Sequence, residues 1–263
     1  MPTPPNAVIS QLDGAAQRDT TIEEIETRIV DCITTRRHKL SNTEITHQSF
    51  VIVAAKLSSG AVGYGEASTL GGPRWSEESV EAIKANIDTY IAPVLVGQSA
   101  LAFEANGLRM KKAVSRNSSA RAAIESALYD AAGKTLELPA AVFLGGPVRD
   151  RIEVLWALAS GDADQEIEEA RGKLAAREHR RFKIKLGFHS PADDMARLRK
   201  IMSVMPEGTE MVVDVNQGWS EATAIRYLPE LAELGVALIE QPLHPGQLAA
   251  TARIAARSEI PIM

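Results

Sequence analysis

The sequence predicts an α+β capping domain followed by an incomplete (β/α) barrel of the TIM type. Three observations carry that prediction. Short β-type runs precede helical ones over residues 21–146, strand and helix alternate strictly over residues 147–263, and the alternation ends after four units and the start of a fifth. The chain of 263 residues, 45% hydrophobic and 24% charged, has ordinary globular composition. A net charge of −5 supplies no basic stripe for phosphate backbones, so nucleic acid is not an expected partner. The lone cysteine, Cys32, forbids an intrachain disulfide, and residues 1–20 lack a basic start followed by an apolar core. Both features suit the cytoplasm, and the lack of a run of about 18 apolar residues argues against a transmembrane helix, so no membrane partner is expected.

Residues 1–20, rich in Pro, Ala, Asn and Asp without periodicity, read as a loosely packed extension. Strands are expected over Thr27–Thr34, Ser49–Leu57 and Ala61–Ala67, the last two joined by the Ser58-Ser59-Gly60 turn, which makes an antiparallel meander. Helical periodicity follows over Ser79–Tyr90, Leu101–Ala113 and Ser119–Lys134. In the third of these Ala123, Ile124, Ala127, Leu128 and Ala131 form one apolar stripe. Strands followed by helices predict a small α+β domain.

After Leu144-Gly145-Gly146-Pro147 the pattern changes. Strands are expected over Ile152–Ala159, Phe182–Leu186, Met211–Val215 and Ala237–Glu240, with Ile260–Met263 opening a fifth. Helices are expected between them over Asp164–Glu178, Ala192–Met205 and Glu221–Leu234, and over Gln247–Ala256. An open doubly wound sheet and a barrel both fit this alternation. The first strand-to-helix turn, Ser160-Gly161-Asp162, lacks G-x-G-x-x-G, which favours the barrel. A whole barrel needs eight strands and about 250 residues, so the chain is expected to stop in mid barrel, with an open sheet edge that favours self-association.

Catalytic groups of barrel enzymes sit at the C-terminal ends of the strands. Lys183 and Lys185 are two apart and share one side of their strand. In a site with little water, desolvation and mutual repulsion would lower a lysine pKa toward that of a useful general base. An exposed strand with two solvated lysines would show the same spacing. Asp214 and Glu240 each end an apolar run on successive strands. Adjacent strands lie about 4.8 Å apart, so the two carboxylates can share a hard cation such as Mg²⁺ or Mn²⁺. The alternative is that Asp214 caps its loop and Glu240 pairs with a lysine. Gly63 and Gly65 read as turn glycines rather than a phosphate cradle. The five histidines show no metal-ligand spacing, and no G-x-S-x-G is present. Trp75 belongs to a Gly-rich loop suited to closing over a ligand, while Trp156 and Trp219 read as packing residues.

K-x-K at Lys183-Ile184-Lys185, D-x-N at Asp214-Val215-Asn216 and E-Q-P at Glu240-Gln241-Pro242, on successive strand ends behind an α+β domain, resemble the enolase superfamily in its muconate lactonizing subgroup. Thr35–Leu40, Gly63–Ala67, Gly71–Ser79, Leu155–Asp162 and Phe182–Lys185 resemble the muconate and chloromuconate cycloisomerases. The resemblance implies conversion of cis,cis-muconate, or a chlorinated relative, to a muconolactone through an enolate-like dianion held by Mn²⁺ or Mg²⁺. It implies proton transfer by Lys185, support from Lys183, metal ligation by Asp214 and Glu240, and a supporting or substrate-contacting role for Asn216. A Lys or His base with Mg²⁺ is the general rule for enolase-superfamily sites. Loops at Arg36–Thr46 and Thr69–Trp75 would form a lid, with Leu70 touching substrate. The partners expected are a small dicarboxylate substrate and further copies of the chain. The superfamily also has a third acidic ligand and a second catalytic lysine beyond the Ile260–Met263 strand, so residues 1–263 alone are expected not to turn over muconate. Two alternatives remain: a dipeptide epimerase or o-succinylbenzoate synthase using the same lysines, or an inactive fragment acting only by self-association.

Overall fold

The computed structural model describes residues 19–40, 43–70, 72–73 and 77–263, without the side chains of residues 35–40 and 43–44. Ile45–Asp150 falls in one compact unit and Arg151–Met263 in another. Most of the N-terminal extension, Trp75 and much of the expected lid loops lie outside the described residues.

β1 (Ile22–Leu40), β2 (Thr43–Leu57) and β3 (Val62–Ser68) form a three-stranded sheet in the order β1-β2-β3, with β2 and β3 antiparallel. Alternation fixes the inner face of β2, where Val51, Val53, Ala55 and Leu57 are fully buried. β1 begins five residues earlier than its apolar run suggested. Ile22 is pinned by Ile22 N–H to Gln98 O and Gly97 N–H to Ile22 O, at 2.9 and 2.8 Å, while the acidic residues beside it face outward, Glu23 meeting Lys56 at 3.4 Å.

The helix expected to end at Tyr90 runs on. Ser79 Oγ caps α1 (Val80–Asn86), which passes through a π turn (Ile87–Ile91) into α2 (Ala92–Leu95). Val80, Ile83, Ile87, Ile91 and Leu95 carry one buried stripe through all three pieces. α3 (Phe103–Ala113) and α4 (Ser118–Leu136) complete the layer. α4 lies directly on β3, and this corrects the reading of Gly63 and Gly65 as turn glycines. Both are strand residues, and a Cβ at Gly63 or Gly65 would stand 2.1 Å from Ala127 O or 2.0 Å from Ala123 O. Only glycine lets the strand approach the helix backbone this closely.

The second unit is a parallel sheet of β4 (Trp156–Leu158), β5 (Arg181–Lys185), β6 (Glu210–Asp214) and β7 (Leu238–Glu240), in that order. Helices α5 (Ala163–Ala175), α6 (Pro191–Met202) and α7 (Glu221–Glu233) make the crossovers, and α8 (Leu248–Ala255) follows β7. Each strand neighbours the next with no reversal of order, as in a barrel and unlike a doubly wound sheet. Side chains Asp162, Ser190 and Ser220 cap α5, α6 and α7, which sets where each helix starts.

The strand expected over Ile152–Ala159 contracts to Trp156–Leu158, the residues paired with Phe182–Ile184. Ile152 and Val154 are 76% and 64% exposed, so their apolar character reflects no burial in this unit. The expected fifth strand is a single bridge, Ile239 to Ile262, held by Met263 N–H to Ile239 O and Gln241 N–H to Met263 O at 2.9 and 2.8 Å. Phe182, Ile184, Met211, Val213 and Ile239 point into the core with Met195, Leu198 and Ile201 of α6. The alternate residues of the same strands are thereby committed to the other face.

Candidate active site

That other face carries the charges. Lys185 pairs in register with Asp214, and Asp214 with Glu240, so three consecutive strands place three ionic side chains in one row. Lys183 stands one position earlier on that same face, opposite Val212. The row is the last of each strand, which puts it at the C-terminal end of the sheet.

Lys185 is buried, and its Nζ donates to Asp214 Oδ2 at 2.5 Å and to Asn216 Oδ1 at 2.9 Å. Lys183 Nζ reaches forward to Glu240 Oε2 at 2.8 Å and lies 3.6 Å from Asp214 Oδ2. Asp214 is fully buried, and its second oxygen accepts from Asn216 N–H at 2.9 Å. Asn216 takes a left-handed backbone, φ 50°, which folds its amide back over the strand end it has just left. Both lysines therefore share one carboxylate, and the alternative of two solvated lysines on an exposed strand does not hold. Buried charges of this kind persist only when paired and hydrogen-bonded.

Leu70 lies in the first unit, half-buried in the turn after β3 and next to Thr69, whose carbonyl accepts from Gln48 Nε2 at 2.9 Å. Of the histidines, His179 packs against the Trp156 ring with centroids 5.0 Å apart, as a structural residue. Among the described residues no group of three or more His, Cys, Asp or Glu side chains could enclose a metal ion. Asp214 and Glu240 nonetheless offer hard carboxylate oxygens from adjacent positions, both within reach of one ammonium. This is the donor chemistry that Mg²⁺ or Mn²⁺ would take.

Sequence reading missed a second buried ionic cluster behind the strand ends, formed by Glu166 of α5 with Asp194 and Arg197 of α6. The signal was available. Glu166 stands beside Ile167 and one turn from Ala170, and Asp194 and Arg197 share the buried stripe of Leu198 and Ile201. Charged residues at buried helical positions mark a network rather than a solvated face.

Residues 24–145 match the family model described as mandelate racemase / muconate lactonizing enzyme, N-terminal domain, and residues 165–263 match the enolase C-terminal domain-like model. A chloromuconate cycloisomerase of Pseudomonas sp. (strain P51) is 42% identical over 242 residues, which is 92% of this chain and 65% of that protein. Muconate cycloisomerase 1 of Pseudomonas putida is 43% identical, again over 92% of this chain and 65% of its own length. The crystal structure of a Pseudomonas fluorescens muconate lactonizing enzyme complexed with muconolactone superposes with a TM-score of 0.90 at 42% identity, covering 93% of this chain and 66% of that one. The chain thus spans about 65% of the length of the curated relatives it matches. Two domain models in the expected order, and close agreement of fold and sequence with these proteins, establish that the chain belongs to the enolase superfamily, in its muconate lactonizing subgroup.

Proposed function

We propose that this chain carries the proton-transfer and metal-binding half of a muconate or chloromuconate cycloisomerase site. The reaction is intramolecular addition of one substrate carboxylate across a double bond to give a muconolactone, in the cytoplasmic breakdown of aromatic compounds by way of catechol. The observation that carries this reading is the row Lys185, Asp214 and Glu240 with Lys183 beside it, two ammonium groups and two carboxylates within hydrogen-bonding or ion-pair reach of one another.

In this reading Asp214 and Glu240 hold a divalent cation, Mn²⁺ or Mg²⁺, which when bound supplies positive charge against the substrate carboxylate where negative charge accumulates. Lys185, aimed by Asp214 and Asn216, moves the proton at the carbon next to that carboxylate. Lys183, set between Asp214 and Glu240, adds fixed positive charge and keeps the two acids oriented. Asn216 supports Lys185 directly, and Leu70 contributes an apolar substrate contact. The same reading includes a small dicarboxylate as substrate and assembly of identical subunits.

The test uses residues 1–263 continued through the final third of a 42%-identical relative, supplied with Mn²⁺. Loss of cis,cis-muconate absorbance in the ultraviolet is expected, together with uptake of solvent deuterium at the α-carbon of muconolactone. A folded, Mn²⁺-binding protein that exchanges the α-proton of a dipeptide and leaves muconolactone unexchanged would replace this reading with an epimerase.

A further inference from the structure

Glu166, Asp194 and Arg197 are buried charges of the second unit that the proposed chemistry leaves unused. Arg197 is 7% exposed, and Glu166 and Asp194 are inaccessible. Arg197 Nη1 donates to Glu166 Oε2 at 2.5 Å, and Nη2 lies 3.4 Å from Asp194 Oδ1. Nη2 also donates, in close contact, to the main-chain oxygen of Lys185. Each acid spends its other oxygen on a strand-end loop: Glu166 Oε1 accepts from Gly161 N–H at 3.0 Å, after β4, and Asp194 Oδ2 accepts from Gly187 N–H at 2.6 Å, after β5.

Two acids and one cation leave one excess negative charge, which the two glycine N–H groups help to stabilise. A core of apolar side chains could fill the same space with no loss of stability, so burial of three charges points to a requirement for position. What the network positions is the end of β5. The Lys185 carbonyl is held by Arg197, the next N–H, of Leu186, donates to Asp214 O at 2.8 Å, and the one after, of Gly187, is held by Asp194. Gly187 has φ 88°, and a Cβ there would stand 2.6 Å from Val215 O, so the chain turns away from the strand against the end of β6 with no slack.

We propose that Arg197, braced by Glu166 and Asp194, is a positioning residue for Lys185: it fixes the peptide from which Lys185 departs, so that Nζ meets Asp214 and Asn216. The importance of Lys185 rests on the cycloisomerase reading, but the geometric claim does not. Arginine is required because one planar fork must serve a carboxylate and a carbonyl together. A lysine keeps the charge and can serve only one of them well.

The experiment compares residues 1–263 with Arg197→Lys by trace acetylation, each lysine being quantified by peptide mass spectrometry against exposed Lys112 and Lys200. Wild-type Lys185 is expected to be protected, and in Arg197→Lys its relative reactivity rises several-fold while far-ultraviolet dichroism stays native. In the same pair Mn²⁺ affinity, read by paramagnetic resonance of free Mn²⁺, is expected to fall about tenfold. A merely structural arginine would lower the melting temperature without a rise confined to Lys185. If Arg197→Lys does not fold, Glu166→Gln and Asp194→Asn each keep one acceptor oxygen and turn the other into an amide NH₂ that faces a donor, which weakens the bracing; they should give smaller rises of the same kind. Folded variants whose Lys185 is as protected as in the wild type would overturn the proposal. Failure of the cycloisomerase reading would show separately, as wild-type protein in which Lys185 is protected but no Mn²⁺ is bound.

Discussion

Lys183 and Lys185 sit two residues apart on one strand face, yet their surroundings differ. Lys185 is enclosed, with Asp214 and Asn216 as partners, whereas Lys183 is about one-fifth exposed and spans toward Glu240. The enclosed ammonium has the fixed direction that proton transfer needs, and the outer one has the reach that a supporting charge needs. In the continued polypeptide Lys185→Met should abolish deuterium exchange into muconolactone, while Lys183→Met should slow it by a smaller factor. Nuclear magnetic resonance of recovered product measures both, and exchange surviving at the wild-type rate in Lys185→Met alone would reverse the two roles. Glu240 was legible as a strand-end acid, and its pairing with one of the two lysines was legible as an alternative to metal ligation. That Lys183 bridges both acids was not legible, because it depends on side-chain reach across three strands.

β3 and α4 meet at close range in the first unit, since Gly63 and Gly65 bring strand and helix backbones together. Gly65→Ala should destabilise by about 1–3 kcal/mol or more, the range for overpacking, and denaturant unfolding should show it as a lower midpoint. A midpoint equal to the wild type would mean that α4 can shift on the sheet. Asp130 ties the same two elements. Burial pushes its carboxyl up, but hydrogen bonds from Lys134 Nζ and Tyr64 N–H, at 2.6 and 2.8 Å, outweigh this and hold it below the usual aspartate value. A carboxylate whose folded pKa is depressed contributes stability that is complete above its unfolded pKa and is lost as pH falls through the folded value. Thermal unfolding should therefore show Asp130→Asn less stable than wild type near neutrality, with the gap closing between about pH 5 and pH 2. A gap that persists in acid would assign the effect to the shape of the side chain. Periodicity made α3, α4 and the three crossover helices legible to within a few residues. It failed at β4, where Ile152 and Val154 look like strand but lie outside the pairing with β5, because strand length is set by the partner and not by the apolar run.

Across the whole molecule the parallel sheet was legible from alternation of strand and helix, and its barrel order from the missing dinucleotide-binding turn. Asp214 and Glu240 were legible because each ends an apolar run, and Lys183 and Lys185 because a spacing of two puts them on one side of their strand. The network of Glu166, Asp194 and Arg197 was legible only as charges set among the apolar positions of two helices; that the three meet one another is decided by tertiary packing. What unites these features is one claim: adjacent strand ends build a cation site from Asp214 and Glu240, with Lys183 and Lys185 poised on it. The most direct measurement is Mn²⁺ binding to residues 1–263, followed by paramagnetic resonance of the free ion, in wild type, Asp214→Asn and Glu240→Gln. The account predicts one saturable site in the wild type and at least about tenfold weaker binding in each variant. Equal affinity in all three, with each variant folded, would contradict it.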